Sequence, residues 1–227
     1  MQEAPINAPL LETQDGSFTL RHPLLGATYH STHGALQESM HVFIEQGLLF
    51  VAERQSKIKI LEMGFGSGLN ALLSRIILEE RLPSHCLAYE GIEAYPLALE
   101  TIRAYPLPPA LRAWHPAFIE LHGKPWAHAF PWGARMQVMK HHITWQAFQS
   151  EHTFDLIYYD AFAPSAQAEL WDTASVQKLH ALTHPGSVVV TYCAQGAFKR
   201  LLKSHGFAVE ALPGPPGKRE MTRAIRL

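Results

Sequence analysis

Charged side chains, cysteines and long apolar runs are all scarce in this chain of 227 residues. Only 17% of the residues are Asp, Glu, Lys or Arg, whereas 47% are hydrophobic, which is typical of a folded globular protein and not of a disordered one. No apolar run reaches the roughly 20 residues of a membrane-spanning helix, and residues 1–14 lack the pattern of a signal peptide. We therefore expect no association with a membrane.

The two cysteines exclude a disulfide-rich scaffold. Cys86 and Cys193 both lie in strand-like runs without a C-x-x-C partner, so we predict reduced core residues of a cytoplasmic protein. The net charge of −1 gives no general argument for nucleic-acid binding. The distribution is less even, because residues 196–227 hold seven Lys or Arg and two acidic residues.

Histidine is frequent, with 14 residues, yet no pair has the spacing of a zinc site. The closest are the adjacent His141 and His142, and the pair His30 and His33. We predict no metal.

The stretch IKILEMGFGSGLN, residues 58–70, is the most informative part of the sequence. Its first six residues are the kind of short apolar run that fills a buried parallel strand, with Glu62 near its end. Gly64, Gly66 and Gly68 follow, and then an apolar pattern with helical spacing. Strand, glycine turn and helix form the first unit of a nucleotide-binding α/β domain, with the ligand at the carboxyl end of the strand.

The glycine spacing separates the possible cofactors. The dinucleotide fingerprint G-x-G-x-x-G needs a third glycine where this chain has Leu69. The observed pattern, E-x-G-x-G-x-G, resembles motif I of S-adenosylmethionine-dependent methyltransferases. A tight turn in an α/β enzyme with another ligand remains the alternative.

Strand and helix patterns alternate through the rest of the chain. The predicted strands after the first cover 85–92, 136–141, 154–160, 187–193, 207–212 and 221–227, and the predicted helices cover 34–53, 69–77, 95–105, 166–183 and 195–205. A hairpin is predicted over 17–21 and 27–31, and a structured insertion with short helices over 106–133.

This order predicts an α/β protein with the Rossmann-like class I methyltransferase fold: a seven-stranded, mostly parallel sheet that ends in a β-hairpin. Residues 1–50 are predicted to form a small N-terminal appendage, a hairpin and helix laid over the cofactor end of the sheet. Residues 51–227 are predicted to form the methyltransferase domain as a single compact unit.

Acidic residues near strand ends are candidates for ligand binding. Glu93 lies just past the second strand, where α/β nucleotide sites hold ribose hydroxyls; Glu90, inside the strand, is the less favoured alternative. Asp160 follows the fourth strand, beside the point where the strand order reverses. Its carboxylate could orient an amine and accept a proton from it, or it could cap the following helix, and the two roles are compatible.

Four segments together resemble the tRNA 5-methylaminomethyl-2-thiouridine methyltransferases, which are the methyltransferase half of MnmC and its stand-alone relatives called MnmD. They are residues 62–70 (EMGFGSGLN), 93–97 (EAYPL), 160–164 (DAFAP, with Trp171 after it) and 217–221 (GKREM). Order and spacing agree over most of residues 15–227. The resemblance implies S-adenosylmethionine-dependent N-methylation of the 5-aminomethyl group of wobble (2-thio)uridine in tRNA, giving 5-methylaminomethyl-(2-thio)uridine. The chain contains no flavin-dependent oxidase half, so we expect upstream tRNA-modifying enzymes to supply the amine.

The resemblance also implies roles for single residues. Asp160 would face the amine, Phe162 and Pro164 would shape the substrate pocket, and Lys218 and Arg219 would lie in a loop at its mouth. There we predict that both side chains project toward tRNA phosphates. The residues that would line the cofactor pocket are Tyr29, Glu62, Gly64, Gly66, Gly68 and Asn70, with Glu93 on the ribose.

One position departs from the family. Near the adenine the family usually has a Gly-Asp pair after the third strand, where this chain has His141 and His142. A neutral His142 could accept one hydrogen bond from the adenine amine, but only in the right tautomer, so a backbone contact stays open as an alternative.

Two other functions remain open from the sequence. A methyltransferase of the same fold could act on a small-molecule amine, which the near-neutral charge would suit. An inactive S-adenosylmethionine-binding interaction protein is the other, and Asp160 with the intact glycine turn argues against it. The tRNA interpretation depends on the K-R-E-M loop and the basic final third.

Overall fold

The computed structural model describes residues 5–29 and 31–227, so His30 and its pairing with His33 lie outside the described residues. The strands are β1 (Leu10–Glu12), β2 (Phe18–Leu20), β3 (Lys57–Met63), β4 (Cys86–Glu93), β5 (Phe130–Pro131), β6 (Met136–His142), β7 (Phe154–Tyr159), β8 (Thr183–Thr191), β9 (Phe207–Pro213) and β10 (Glu220–Arg226). The short strands β1 and β2 pair with each other, and the other eight form one sheet with the order β5-β6-β4-β3-β7-β8-β10-β9.

The helices lie between these strands. Ala35–Ser39, Met40–Leu49 and Phe50–Ala52 continue without a break as one helix, α1, whose middle part has π-helical hydrogen bonding. The others are α2 (Leu69–Arg81), α3 (Leu99–Ala104), α4 (His115–Gly123), α5 (Thr173–Ala181) and α6 (Gly196–Ser204), with 3₁₀ turns at Pro109–Trp114 and Ala168–Leu170. No helix among the described residues is both long and apolar enough to cross a membrane.

The fold class predicted from the sequence is confirmed, with one strand more than expected. Strands β6, β4, β3, β7 and β8 are parallel, and β10 is antiparallel to both β8 and β9, which gives the predicted final hairpin. The additional strand, β5, is two residues long and pairs antiparallel to β6 within the stretch predicted as an insertion.

The strand order reverses beside β3, and this reversal point is where a ligand site is expected. From β3 the chain first builds outward through β4 and β6, and then returns to β3's other side with β7 and β8. The carboxyl ends of β3, β4 and β7 therefore meet at one edge of the sheet, where open α/β sheets bind ligands. These ends carry the glycine turn, Glu93 and Asp160.

The N-terminal part differs from the predicted hairpin. Strand β2 pairs with β1, and among the described residues the stretch around residue 28 contributes the isolated bridge between Arg21 and Thr28. The His22 N–H donates to the Ala27 carbonyl and the Tyr29 N–H to the Leu20 carbonyl, at 2.8 and 2.9 Å, so the pairing predicted between the two stretches is present here as one bridge. Helix α1 then packs on the sheet, with Gly47 against Val190 and Tyr158. A division of the chain at residue 50 stays a prediction.

Three other details depart from the predicted elements. Strand β8 begins at Thr183, four residues before the predicted strand, and its register with β7 shifts between the pairs Phe154–Thr183 and Leu156–Val188. Helix α5 is shorter than predicted because Asp172 caps it, accepting a hydrogen bond from the Ser175 N–H at 2.8 Å. Cys193 is buried as predicted, but Cys86 is exposed at the start of β4, so its prediction as a core residue is wrong.

Candidate active site

The glycine turn follows β3 and lies between the carboxyl ends of β4 and β7. Gly64, Gly66 and Gly68 have φ angles of 89°, 51° and 73°, a region that residues with a β-carbon rarely adopt. The Gly64 and Phe65 N–H groups donate to the Ile92 carbonyl at 3.1 and 2.9 Å. A β-carbon on Gly64 would lie 2.3 Å from the Asp160 carbonyl oxygen. At Gly64 a glycine is therefore required by the close approach of the Asp160 backbone and not only by the turn.

A cavity lies directly in front of this turn. The Glu93 carboxylate accepts hydrogen bonds from the Gly66 and Tyr95 N–H groups, at 2.8 and 2.9 Å, which fixes it at the cavity wall. The Tyr29 ring lies against Gly66, and its hydroxyl is buried without a partner among the described residues. The other lining residues include the end of β3 and β4, the segment after β6 and the loop after β7: Met63, Gly64, Ile92, Ala94, Ile143, Thr144, Trp145, Gln146, Asp160, Ala161, Phe162, Gln167, Glu169 and Leu170.

Asp160 is connected to the first strand through an amide. The Asn70 Nδ2 group donates to Asp160 Oδ2 at 2.9 Å and to Glu62 Oε1 at 2.8 Å. Glu62 is fully buried behind the turn and also accepts from the Tyr89 hydroxyl at 2.7 Å. Burial raises the pKa of Glu62 well above its usual value. Asn70 thus holds Asp160 in place from behind the cavity.

The pKa of Asp160 is raised to about 8. Burial is the main cause, and the charge of Glu38 adds to it, while the Asn70 hydrogen bond and the Lys218 charge act in the opposite direction. A carboxyl group with a pKa in this range can exchange a proton with an amine near neutral pH.

A second, more open groove borders the far side of the loop after β7. Asp160, Ala161 and Phe162 face the first cavity, and the next two residues, Ala163 and Pro164, line the groove. Its remaining lining residues come from the ends of β8 and β10 and the segments beside them: Tyr192, Cys193, Ala194, Gln195, Lys218, Arg219 and Glu220.

The prediction that the side chains of Lys218 and Arg219 both project from the loop toward tRNA is wrong for Lys218. Its ammonium group donates to the Glu38 carboxylate, and Nζ lies 3.7 Å from the centroid of the Tyr192 ring. Arg219 is exposed, in agreement with the prediction. The sequence could not show this pairing because Glu38 and Lys218 are 180 positions apart.

The structure brings six of the thirteen predicted site residues to the first cavity: Tyr29, Gly64, Gly66, Glu93, Asp160 and Phe162. Glu62 and Asn70 lie behind its wall, joined to Asp160. Gly68 faces His122, and His142 lies beside Trp126, with ring centroids 5.8 Å apart. Neither is among the residues that line the cavity. The competing acid Glu90 is paired with His141 and His152 at 2.7 and 2.9 Å.

Sequence reasoning missed a clamp on the glycine turn. His122, at the end of α4, contacts the Ser67 carbonyl through Nε2 at 2.9 Å; because a carbonyl only accepts, Nε2 carries the hydrogen. Burial and the Lys140 charge lower the pKa of His122 to about 3, so the ring is neutral. Lys140 is fully buried and donates to the Leu121 and His122 carbonyls, at 2.7 and 3.2 Å. The insertion thereby holds the turn from outside the sheet.

Comparisons with known proteins agree with this architecture. Residues 125–226 match a family described as S-adenosyl-L-methionine-dependent methyltransferase. The chain is 31% identical over 233 residues to the tRNA 5-methylaminomethyl-2-thiouridine biosynthesis bifunctional protein MnmC of Burkholderia thailandensis, and the match covers 97% of this chain. The protein of the same name from Magnetococcus marinus is 31% identical over 209 residues, or 87% of this chain.

A solved structure extends the likeness to three dimensions. The crystal structure of MnmC2 from Aquifex aeolicus superposes with a TM-score of 0.82 at 26% identity, covering 96% of this chain and 70% of that one. The match spans only 35% of the Burkholderia thailandensis protein and 31% of the Magnetococcus marinus protein. The chain therefore corresponds to about a third of the length of these curated relatives.

Proposed function

We propose that this chain, an S-adenosyl-L-methionine-dependent methyltransferase similar to the MnmC proteins, methylates the 5-aminomethyl group of wobble uridine in tRNA. The observation that carries the proposal is the position of Asp160. Its carboxyl group lies on the wall of the cavity in front of the glycine turn. Its pKa of about 8 allows it to exchange a proton with an amine near neutral pH. The similarity to proteins named for this tRNA modification supplies the substrate.

The first cavity fits S-adenosylmethionine. Gly64 and Gly66 line it without a β-carbon, and Glu93 has lone pairs left for ribose hydroxyls after accepting two backbone hydrogen bonds. The Tyr29 hydroxyl and the Trp145 indole N–H are buried polar groups on lining residues, and neither has a partner among the described residues. Such groups are costly unless a ligand satisfies them. When bound, the cofactor supplies a methyl group on a sulfonium sulfur.

The protein's own contribution is orientation and handling of a proton. A primary amine attacks only as the neutral base, so the proton of an incoming ammonium group must be removed. Asp160 is placed to accept a hydrogen bond or a proton from it, and Asn70 and Glu62 keep its carboxylate from turning away. The rings of Tyr29 and Phe162, with centroids 5.2 Å apart, line the same cavity beside it.

We also propose that tRNA approaches along the second groove. Arg219 is exposed at this groove and is suited to a phosphate next to an everted base. The basic excess of residues 196–227 is partly neutralised within the protein, because Lys199 pairs with Glu220 and Arg223 with Glu210. Phosphate contact is therefore assigned to few side chains and not to the whole basic region. The amine itself is proposed to come from upstream tRNA-modifying enzymes.

The His122 clamp gives a prediction on cofactor binding. His122→Phe keeps a ring against Phe65 and Phe118 but removes the hydrogen bond to Ser67, so the glycine turn loses one external tether. We expect S-adenosylmethionine to bind about fivefold to tenfold more weakly in calorimetry, from the loss of roughly 1 kcal/mol. His122→Gln, which keeps an N–H donor, should restore most of the affinity. Equal affinity of all three proteins would show that the clamp has no part in binding.

The proposed function is tested on bulk tRNA from cells that lack this methylation. Tritiated S-adenosylmethionine and the protein are incubated with this tRNA, and the digested nucleosides are separated. Label in 5-methylaminomethyl-(2-thio)uridine supports the proposal. Label in free amines but not in tRNA would favour a small-molecule methyltransferase. Cofactor binding without transfer to either would favour an inactive binding protein.

A further inference from the structure

We propose that Glu38 and the face of the Tyr192 ring form an ammonium-binding subsite beside Asp160, and that Lys218 fills it until the substrate's own ammonium group takes its place. This inference rests on the proposed function, since it names where the amine of that substrate binds. It concerns the contacts of Lys218, which differ from those expected of a phosphate-binding lysine.

Lys218 is held as a ligand would be held. Its Nζ donates to Glu38 Oε2, and the same atom lies 3.7 Å from the Tyr192 ring centroid, well within cation–π range. Only 6% of the Glu38 side chain is exposed, against 28% of Lys218. A nearly buried carboxylate and an aromatic face are a favourable combination for a primary ammonium group.

The subsite is built independently of Lys218. The Ser31 N–H donates to Glu38 Oε1 at 3.2 Å, and the Tyr192 hydroxyl donates to the Ala161 carbonyl at 2.7 Å. Both receiving groups are thereby fixed by the protein, and Tyr192 is tied to the residue that follows Asp160. Lys218 comes from the connection joining β9 and β10, whereas Glu38 lies in α1 and Tyr192 directly follows β8.

The charges link this subsite to the reacting group. After burial, the Glu38 charge is the next cause that raises the pKa of Asp160, and the Lys218 ammonium lowers it. Removing Lys218 would leave two neighbouring carboxyl groups without a cation, an arrangement that attracts another cation. The protonated aminomethyl group carries the same functional group as a lysine side chain, and it would arrive at Asp160 with the proton that Asp160 is to remove.

The experiment measures binding of 5-aminomethyluridine by calorimetry, with 5-methyluridine as the probe that lacks the amine. If Lys218 fills the subsite about nine-tenths of the time, Lys218→Met should bind 5-aminomethyluridine about tenfold more tightly than the wild type. Glu38→Gln should bind it more weakly, and neither change should alter binding of 5-methyluridine. Lys199→Met, which removes the lysine of a nearby surface ion pair, is the matched control and should equal the wild type.

Equal or weaker binding by Lys218→Met, with circular dichroism showing a folded protein, would overturn the inference and leave the Glu38 pair as a structural tie. Should Lys218→Met not fold, an unchanged affinity of Glu38→Gln would overturn it equally. Methylation of tRNA by the wild type is scored separately. Label in tRNA without the tenfold gain contradicts only the subsite, whereas the tenfold gain without label in tRNA contradicts only the proposed function.

Discussion

Asp160→Asn is expected to lower methyl transfer by about 100-fold or more while leaving S-adenosylmethionine affinity close to that of the wild type. The amide oxygen can still accept the hydrogen bond from Asn70, so the shape of the site is kept. What is lost is a group that can take up a proton from the amine. Single-turnover methylation of tRNA measures the first quantity and calorimetry the second.

A matched control lies on the same strand. Asp155, near the start of β7, also accepts hydrogen bonds, from the Lys59 N–H at 2.7 Å and from His184 at 3.1 Å, but it is at the opposite end of the strand from the cavity. Asp155→Asn should leave methyl transfer within about twofold of the wild type. If Asp160→Asn also stays within about twofold of the wild type, Asp160 does not take up the proton and acts only as a structural hydrogen-bond acceptor.

Asp160→Asn should also raise the stability of the fold, by an amount that depends on pH. The pKa of Asp160 is about 8 in the folded chain against 3.8 for an ordinary aspartate, so between these values the unfolded chain releases its proton first. Asp160 therefore destabilises the fold increasingly as the pH rises from about 4 to 8. The melting temperature of Asp160→Asn should exceed that of the wild type most at pH 8 to 9 and hardly at all at pH 4. A difference that is constant over this range would contradict the raised pKa.

These effects describe a site whose residues lower the stability of the fold while providing its chemistry. A glycine turn, a raised carboxyl pKa, and buried hydroxyl and indole groups that find no partner in the described part of the chain all oppose folding, and they are concentrated at one edge of the sheet. Their cost is offset by the buried strands β3, β7 and β8 beneath them. The same edge is where the strand order reverses, so the topology and the chemistry point to one location.

Local sequence patterns predicted the parts of this site that depend on local structure. The apolar runs predicted the parallel strands, and the glycine spacing predicted the turn after the first of them. Glu93 and Asp160 were predicted to lie nearby because each follows the end of another strand. Contacts between distant segments had no such signal. His122 touches the turn from 55 positions away, and Lys218 meets Glu38 from 180 positions away. Gly91 was also overlooked, although a β-carbon there would lie 2.4 Å from the Phe65 ring.

Gly66→Ala is expected to weaken S-adenosylmethionine binding by about 100-fold while the protein remains folded, because a loss of roughly 2.7 kcal/mol corresponds to that factor. A β-carbon at position 66 would lie 2.8 Å from Cδ1 of Tyr29, which must then leave the cavity wall. Gly186 gives a matched control: its φ of 91° carries a comparable backbone strain, but nothing lies within 4 Å of a β-carbon there. Gly186→Ala should therefore lose stability without losing affinity, so that both variants melt at a lower temperature than the wild type but only Gly66→Ala binds S-adenosylmethionine more weakly in calorimetry. Unchanged affinity in Gly66→Ala would mean that the cofactor does not bind in front of the glycine turn.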